Sequence, residues 1–321
     1  MSDALIPERP TLSVITVSLN SSKFLRETLD SVARQTFRDF EHIVVDGGST
    51  DGTQAILAEY PSIRWISEDD GDLGFVGAIH KAAAMARGKY VIQCFISDGF
   101  LDPSWFAKAV EFLETYPKFA LVWSLPQQMS EQGALLGLFH GELLDRPPKD
   151  GEGFLAFWAA AQFVFPEGNY CTYTEIIREW FPGRGAPDHH LVQPHLGFVF
   201  NFMRRGFLSA MIPQVSSYFR THEGQRYQKR LLIERPAAER YQKNVVSLWF
   251  KIVLGRERHV FRDPASLVLS VMGRRERARL FAEGIIEGVL RLKIVRYPPV
   301  RVFRYFLAMV KGARVSQRVK L

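Results

Sequence analysis

LSVITVSLNSSKFLRETLDSVARQTFRDFEHIVVDGGSTDGT, residues 12–53, predicts two buried strands joined by one amphipathic helix. Residues 12–17 and 42–45 are short runs rich in β-branched side chains, which is typical of strands buried on both faces of a parallel sheet. Between them, apolar residues recur at helical spacing: Phe24, Leu25, Leu29, Val32 and Ala33. The segment is therefore predicted to be a βαβ unit.

Polar residues follow both predicted strands at the point where each strand ends. Thr16, Ser18 and Asn20 lie at the end of the first strand, and the sequence DGGS, from Asp46 to Ser49, follows the second. Ligands of open α/β sheets bind beyond the carboxyl ends of the strands. These residues therefore outline a nucleotide pocket, with turn formation as the alternative role for Asp46 and Ser49.

The same segment resembles the N-terminal half of a family 2 glycosyltransferase with the GT-A fold. In that family, a strand ending in a T-P-S-Y-N-like sequence is followed by a helix and then by V-V-D-D/G-x-S-x-D-G-T. This chain has TVSLN at 16–20 and VVDGGSTDGT at 44–53. The resemblance implies an α/β fold with a mixed, mainly parallel sheet flanked by helices. It also implies a nucleotide-diphospho-sugar donor, whose base or ribose would hydrogen bond to Asp46.

An acidic stretch follows a third predicted strand at residues 63–66. The stretch is SEDDGDLG at 67–74, and the family has S-E-P-D-x-G at this place. The resemblance implies that Glu68 and Asp70 contribute to donor binding.

The helix after this stretch departs from the family's sequence. The family carries D-A-x-N-K-G, whereas this chain has Gly77 in place of the acid and His80 in place of the asparagine. His80 and Lys81 are predicted to reach the diphosphate, and a solvated helix face is the alternative for both.

A fourth strand is predicted over residues 90–96, with Ser97 and Asp98 at its carboxyl end. In the family, this strand ends in paired acids, S-D-D or D-x-D, which hold a divalent cation. The leaving nucleoside diphosphate develops negative charge, and a hard cation with oxygen ligands neutralises it. Here Asp98 stands alone. By spacing from Gly88, Asp98 takes the family's second acidic position with Ser97 at the first, whereas by local identity Gly99 replaces the second acid of S-D-D. The resemblance therefore implies Mg²⁺ or Mn²⁺ at Asp98.

A second motif that resembles the family lies near residue 220. SYFRTHEG at 217–224 is similar to the family's Y-R-x-H ending of the catalytic domain. The similarity implies that Arg220 and His222 approach the metal or the diphosphate, and for Arg220 the alternative is an arginine that closes a loop by hydrogen bonds. In a metal-independent enzyme, Arg220, His222 or Lys81 would supply the positive charge.

Three patterns predict helix starts. Asp51 precedes QAIL at 54–57 and is interpreted as an N-cap. Asp102 precedes Pro103 and is interpreted as an N-cap with proline at N1, so it is not taken as a second metal ligand. Thr172 and Glu175 have the spacing of a capping box.

The catalytic base is expected in the second half of the chain. An inverting transfer needs a base that removes the proton of the acceptor hydroxyl. Family members place an acid about eleven residues before the glycine of an R-x-x-x-G-[YF]-like ending, and here that count from Gly206 reaches His195. The base is predicted to be His195 or the Asp188-His189-His190 cluster, with a structural histidine as the third alternative. Adjacent histidines do not predict a zinc site. Glu167 and Asn169 are predicted to line the acceptor pocket or to serve the turn.

Charge divides the chain near residue 224. Residues 1–224 carry 18 Lys and Arg against 27 Asp and Glu, whereas residues 225–321 carry 23 against 7. We expect a glycosyltransferase-like domain over 1–224 and a basic helical extension over 225–321. The final amphipathic segment is typical of a helix on an anionic membrane surface. Packing of the extension on the acidic domain or on a partner protein is the alternative, and nucleic-acid binding is not expected because no such motif is present.

Cysteine usage and hydropathy predict the compartment. Cys94 and Cys171 are the two cysteines and lack metal-site spacing, which suggests reduced thiols. The first ten residues contain no apolar signal region, and no segment holds 18 uninterrupted apolar residues. We expect a cytoplasmic protein, peripheral at the inner face of the membrane.

The resemblance implies an inverting glycosyltransferase that moves a sugar from a nucleotide-diphosphate donor to a saccharide or lipid-linked acceptor, in cell-surface polysaccharide or glycolipid synthesis. The alternative is a non-catalytic pseudo-glycosyltransferase that binds a nucleotide sugar and acts as a partner or scaffold. The lone acid at Asp98 and the histidine at 195 favour this alternative. A nucleotidyltransferase is disfavoured, because the chain lacks the N-terminal glycine-rich phosphate loop with arginine and lysine.

Overall fold

The computed structural model describes residues 9–138, 140–148, 157, 168–180, 202–203, 206–222, 247–249, 251–252, 260–262, 269–271 and 273–291. The strands are β1 Leu12–Ser18, β2 Phe40–Asp46, β3 Ile63–Ser67, β4 Tyr90–Gln93, β5 Gly99–Phe100, β6 Phe119–Met129, β7 Leu135–Leu138, β8 Cys171–Tyr173, β9 Leu208–Arg220, β10 Val260–Arg262 and β11 Leu269–Val271. The helices are α1 Ser22–Ala33, α2 Thr53–Ala58, α3 Asp70–Met85, α4 Trp105–Thr115, α5 Thr174–Trp180 and α6 Arg274–Arg291, with a 3₁₀ turn at Gly141–Leu143.

The main sheet has the strand order β3-β2-β1-β4-β8-β6-β9-β5, with β7 paired to β6. Strands β3, β2, β1 and β4 are parallel neighbours. Strand β8 is antiparallel to both β4 and β6, whereas β6 and β9 run parallel. The predicted α/β fold with a mixed, mainly parallel sheet is confirmed, and the parallel half brings four strand ends to one edge.

Helices cover both faces of the parallel half. On one face of β2, Val44 packs in an apolar cluster with Leu25 and Leu29 of α1 and with Leu57 of α2. On the opposite face, Ile43 and other strand residues pack in a second cluster with α3. Because successive strand side chains alternate between faces, the apolar run at 43–45 supplies both clusters.

The helix predicted to start with a capping box begins elsewhere. Thr172 lies inside β8 and its hydroxyl donates to the carbonyl of Ala120 at 2.7 Å. Helix α5 starts at Thr174, whose hydroxyl donates to the carbonyl of Gly88 at 2.7 Å. The capping-box prediction is wrong, because pairing of the three-residue strand β8 with β4 and β6 overrides the local pattern.

Asp51, predicted as an N-cap, serves helix starts from one position before the observed N-cap residue. Gly52 is the N-cap residue of α2. The carboxylate of Asp51 accepts hydrogen bonds from the backbone of Thr53 at 3.1 Å and from that of Ser22 at 3.0 Å, so it joins the starts of α2 and α1. Burial opposes the charged form, but hydrogen bonds from Thr53 and Ser22 outweigh it and hold the pKa of Asp51 at about 2.

Asp102 likewise lies ahead of the helix that it supports. Helix α4 has Ser104 as its N-cap residue, and Asp102 accepts from the backbone of Ser104 at 2.8 Å. Its other oxygen accepts from Lys108 at 2.8 Å and from Gln214 at 2.9 Å. These contacts agree with a structural role for Asp102, although the N-cap position itself was predicted two residues too early.

Part of the basic extension packs with the sheet. Leu248, Trp249, Ile252 and Leu280 belong to the same buried apolar cluster as the strands. Trp249 donates from its indole nitrogen to the carbonyl of Leu280 at 3.4 Å. At Gly284 of α6, an added Cβ would lie 2.1 Å from the Trp249 ring, so only glycine permits this approach. The division at residue 224 stays a prediction, and residues 296–321 lie outside the described residues.

Both cysteines are buried and unpaired. Cys94 follows β4 and Cys171 begins β8. Burial raises the pKa of both thiols. Among the described helices, none is both long enough and apolar enough to span a bilayer.

Candidate active site

Three parallel strands end at the same level. Ser18, the last residue of β1, pairs in register with Asp46 at the end of β2, and Asp46 pairs with Ser67 at the end of β3. The next neighbour, β4, leads into the turn that carries Ser97 and Asp98. The polar residues predicted from the strand ends therefore do meet along one edge of the sheet.

Asp46 is fully buried and organises this edge. Its carboxylate accepts hydrogen bonds from the backbone of Ser49 at 2.9 Å, from the Ser49 hydroxyl at 2.5 Å and from the Ser67 hydroxyl at 2.8 Å. Gly48 in this turn has φ +80°, a left-handed conformation that favours glycine. Protein groups therefore supply donors at the carboxylate where a base or ribose was predicted to bind.

The polar residues at the end of β1 differ in whether their hydrogen-bonding groups are already engaged by the protein. Thr16 is fully buried and its hydroxyl contacts the ring of His42 at 3.0 Å, so it supports the strands from inside. Ser18 is 6 % exposed, and its hydroxyl has no hydrogen-bond partner within the described part of the chain. Asn20 is exposed, and its amide oxygen accepts from the backbone of Thr50 at 3.0 Å. Of these three side chains, only that of Ser18 has a buried polar group without a partner among the described residues.

Glu68 and Lys81 form an ion pair across the start of α3. Lys81 is about one third exposed at its side chain, so its ammonium can exchange Glu68 for an anionic ligand. Asp70 begins α3, and its side chain lies outside the described part.

The turn after β4 holds Asp98 in a strained backbone. Ser97 has φ +80°, which is uncommon for a residue with a side chain, and it is 6 % exposed. The carbonyl of Asp98 accepts from the Thr28 hydroxyl at 2.7 Å, and its carboxylate accepts from the backbone of Arg220 at 3.2 Å. Helix α1 and strand β9 thus fix this turn from two sides.

Gly99 leaves no space for the family's second acid. A Cβ at this position would lie 2.6 Å from the Tyr218 hydroxyl and 2.7 Å from the Ser31 hydroxyl. Contacts this short do not occur for a real Cβ without movement of the neighbours. The departure from S-D-D is therefore built into the packing of β5 against β9 and α1.

Arg220 is 2 % exposed and is engaged by protein acceptors. Its Nη1 donates to the carbonyls of Ser130 at 3.2 Å and Glu131 at 3.0 Å, and its Nη2 lies 2.5 Å from the carboxylate of Glu27. This geometry supports the alternative considered for Arg220, an arginine that closes loops, over direct contact with a diphosphate.

His222 lies beside Phe24 of α1, with 4.9 Å between the ring centroids. Burial is the largest cause of a lowered pKa at His222, the nearby cations of Lys23 and Arg220 lower it further, and Glu131 opposes them. The imidazole is therefore mainly neutral at pH 7, the form that can ligate a metal. Among the described residues, no group of three or more His, Cys, Asp or Glu side chains has the arrangement of a metal site.

The predicted acceptor half is described only in part. His195, Asp188, His189, His190 and Glu167 lie outside the described residues, so their roles stay predictions. Asn169 is buried with φ +66°, and its amide donates to the Ser217 hydroxyl at 2.5 Å. The backbone carbonyl of Asn169 accepts a hydrogen bond from the Trp105 indole at 2.9 Å. For Asn169 the geometry supports the turn alternative.

Sequence reasoning did not identify Phe24, Glu27 and Thr28 as neighbours of the candidate site. All three lie on α1, which the sequence presents only as the connection between two strands. Phe24 fits the apolar pattern of this helix, Glu27 fits its solvated face and Thr28 is buried within it, so no local signal distinguishes them.

Comparisons with known proteins agree with this geometry. Residues 13–151 match the family model described as glycosyl transferase family 2. An uncharacterised glycosyltransferase of Mycobacterium tuberculosis is 38% identical over 117 residues, which cover 36% of this chain and 44% of that protein. A PGL/p-HBAD biosynthesis glycosyltransferase of Mycobacterium bovis is 33% identical over 117 residues, which cover 36% of this chain and 46% of that protein. The chain therefore spans less than half the length of these curated relatives.

Solved structures share the fold at low sequence identity. The mannosyltransferase PcManGT from Pyrobaculum calidifontis, in complex with GDP-Man and Mn²⁺, has a TM-score of 0.53 at 15% identity and covers 94% of this chain and 81% of that one. Residues 1–349 of S. aureus TarS, in complex with UDP, have a TM-score of 0.51 at 15% identity and cover 86% of this chain and 70% of that one. These similarities confirm the GT-A-like fold expected from the sequence.

Proposed function

We propose, from the premise that residues 13–151 form a family 2 glycosyltransferase domain, that this chain transfers a sugar with inversion from a nucleotide diphosphate to a saccharide or lipid-linked acceptor. The observation that carries the proposal is the alignment of Ser18, Asp46 and Ser67 at the ends of three parallel strands, beside the turn of Asp98. Ligands of such sheets bind beyond this edge.

The donor nucleotide would lie against the ends of β1 and β2. The Ser18 hydroxyl, which has no partner within the described part of the chain, would donate a hydrogen bond to the nucleotide, and Asn20 would flank it on the exposed side. Asp46 would act mainly by holding Ser49 and Ser67 in place, because three protein groups already donate to its carboxylate. A nucleotide sugar as donor is supported by the UDP and GDP-Man found in the two structural neighbours.

Asp98 would hold the divalent cation, with the neutral imidazole of His222 as a candidate second ligand. The residues fit Mg²⁺ or Mn²⁺, because such cations commonly bind one or two carboxylates and take further ligands from substrate phosphates and water. When bound, the cation supplies positive charge against the leaving nucleoside diphosphate. Lys81 would add positive charge when its pairing with Glu68 is exchanged for the diphosphate.

The acceptor hydroxyl would lose its proton to His195 or to Asp188. A base acts on the acceptor, so His195→Ala is expected to cut transfer on the order of 10²–10⁴-fold with little change in donor affinity. A histidine base near its ordinary pKa of ~6.5 gives transfer that rises with pH through that region and then levels, whereas an aspartate base puts the rise lower. Unchanged transfer in His195→Ala, with a large loss in Asp188→Asn, would assign the role to Asp188.

The acceptor is proposed as a saccharide or a lipid-linked saccharide at the inner membrane surface. The Mycobacterium bovis relative, which acts in PGL/p-HBAD biosynthesis, supports a glycolipid acceptor. The basic C-terminal segment would bring the enzyme to anionic lipid.

The test is release of nucleoside diphosphate from a panel of UDP- and GDP-sugars, with and without Mg²⁺ or Mn²⁺. We expect metal-stimulated turnover of one donor by the parent. In Asp98→Asn the rate should fall by on the order of 10²–10³-fold, the scale of losing one group that stabilises transition-state charge. Donor binding without turnover, in parent and variant alike and with every acceptor tried, would contradict the proposal and support the pseudo-glycosyltransferase.

A further inference from the structure

The guanidinium of Arg220 is enclosed at the end of β9. It lies 4.9 Å from the ring centroid of Phe24 and 5.7 Å from that of Tyr218, so aromatic faces flank the cation. Glu27, whose side chain is 47% exposed, pairs with Nη2 from α1. These neighbours shield the guanidinium from solvent and fix the orientation of its plane.

The remaining donors of Arg220 converge on two turns. Its Nε donates to the carbonyl of Ser97 at 3.4 Å and its backbone N–H to the carboxylate of Asp98 at 3.2 Å. Its Nη1 donates to the carbonyls of Ser130 and Glu131, in the turn between β6 and β7. The backbone N–H and the side chain of one residue therefore together link the turn of the candidate catalytic acid to a hairpin and, through Glu27, to a helix.

The Ser97 backbone needs this support. A serine at φ +80° is in a conformation that side chains disfavour, and such a residue persists only where its surroundings hold it. The carbonyl of Ser97 accepts from Arg220, and the next carbonyl, of Asp98, accepts from the Thr28 hydroxyl. Without the guanidinium, we expect Ser97 to relax to negative φ and to turn the Asp98 carboxylate away from the edge of the sheet.

We infer that Arg220 is a positioning residue, which fixes the Ser97–Asp98 turn and does not itself bind the donor diphosphate. The inference rests on the proposed function for Asp98 and adds a role for Arg220, Glu27 and Thr28 that the strand-end motifs do not contain. A lone carboxylate depends more on its orientation than paired acids do, because Gly99 leaves no space for a second acid to compensate.

Two substitutions of Arg220 separate positioning from a direct charge effect. Lysine keeps the positive charge but lacks the planar fork that reaches several carbonyls, and methionine keeps the length but lacks the charge. We expect Arg220→Lys and Arg220→Met to lose activity alike, on the order of 10²-fold in kcat, since small misplacements of a catalytic group cost about that much. Affinity for UDP or GDP without metal should stay near the parental value.

Metal affinity gives a readout that is independent of turnover. Binding of Mn²⁺ in the presence of nucleoside diphosphate, followed by electron paramagnetic resonance, should weaken by ~10–100-fold in both variants, the scale reported for groups that orient a metal ligand. Thr28→Val keeps the shape of the side chain and removes the donor to the carbonyl of Asp98, so it should weaken Mn²⁺ binding in the same direction with Arg220 intact. Arg26→Gln is the matched control on α1, because Arg26 pairs with the exposed Glu59 instead.

Crystal structures of the parent, Arg220→Lys and Thr28→Val complete the test. We expect the Ser97–Asp98 turn to move in both variants and to stay unchanged in Arg26→Gln. A turn that superposes on the parental one in both variants would overturn the inference, whether or not the parent proves to be a transferase. Near-parental kcat in Arg220→Lys would also overturn it, since charge alone would then suffice. A parent that turns over no donor while its variants show the moved turn would contradict the proposed function only.

Discussion

At the residue scale, motif matching alone does not show which polar atoms of this site the protein already engages. Asp46 and Arg220 both belong to motifs that resemble donor-binding residues, yet the protein itself engages their polar atoms. The buried hydroxyl of Ser18 has no partner among the residues that the structure describes, although its sequence context marks it no more strongly than Thr16. The residue types could be predicted from the sequence, but several partners that engage them, such as Ser67 for Asp46 and Glu27 for Arg220, lie more than 20 positions away and leave no local signal.

Gly99 gives the first prediction at this scale. Gly99→Ala places a methyl group against the Tyr218 and Ser31 hydroxyls, so we expect a loss of about 1–3 kcal/mol in the free energy of unfolding, measured in urea. Adding Tyr218→Phe removes one of the two oxygens and should recover part of that loss. Gly137→Ala is the control, because nothing lies within 4 Å of its added Cβ. Equal stability of Gly99→Ala and the parent would mean that this packing tolerates a side chain.

His42 gives the second prediction, which concerns pH. Burial lowers its pKa from 6.5 to about 3, so the unfolded chain binds a proton that the folded chain does not. The stability that comes from a neutral His42 is fully present above pH 6.5 and is lost as pH falls towards 3. The slope from one such proton approaches about 1.4 kcal/mol per pH unit.

The measurement is the urea midpoint across that range for the parent and His42→Gln, which keeps a polar group near Thr16. The parent should lose stability more steeply than the variant as pH falls below 6.5, because the variant has no proton to bind at this position. Parallel curves would show that His42 is not the group responsible.

At the scale of elements, long periodic segments were predicted well and short ones poorly. Strands β1, β2 and β3 and helices α1 and α4 match their apolar patterns, because burial on one or two faces dictates those patterns. Strand β8 has three residues, too few to show alternation, so its threonine was interpreted as a helix cap. Strand β9 contains Pro213, which interrupts the strand pattern in the sequence. The pairing of β9 with β6 is also irregular, with shifts in register.

Helix α6 provides the prediction for this scale. Alanine is favoured over glycine by about 1 kcal/mol in a helix interior, so Gly284→Ala should stabilise an undocked helix. In the docked helix the new methyl group meets the Trp249 ring, and we expect a net loss of about 1–3 kcal/mol instead. Ile286→Ala is the control, because Ile286 is half exposed on the same helix and should change stability little. A stabilised Gly284→Ala protein would show that α6 does not pack on Trp249 in solution.

At the scale of the whole molecule, the C-terminal extension combines a strongly basic composition with apolar residues that are buried against the sheet. Residues 225–321 carry 23 Lys and Arg against 7 Asp and Glu, yet Trp249 and Leu280 belong to the core of the sheet. The sequence predicted the basic character, but it could not show which apolar positions meet the sheet, because that depends on surfaces far away in the chain.

Deletion of residues 296–321 tests the membrane hypothesis for the final segment. We expect the truncated protein to fold and to bind donor nucleotide, since the strand ends of the candidate site precede residue 100. The full chain should sediment with anionic vesicles, less so as salt rises, and the truncated protein should stay in the supernatant. Vesicle binding that survives the deletion would place the contact elsewhere, and loss of folding would favour packing of this segment on the rest of the protein.

The burial of both cysteines has a practical consequence for measuring how often the sheet opens. The thiolate attacks alkylating reagents such as iodoacetamide and displaces iodide, and burial disfavours the thiolate at Cys94 and Cys171, so the native chain should label slowly. The rate of alkylation by iodoacetamide then reports how often the sheet opens, and no engineered reporter is needed. A cysteine introduced at the exposed Leu136 would carry a fluorophore or spin label almost alone, which makes the wild-type sequence a ready background for site-directed labelling.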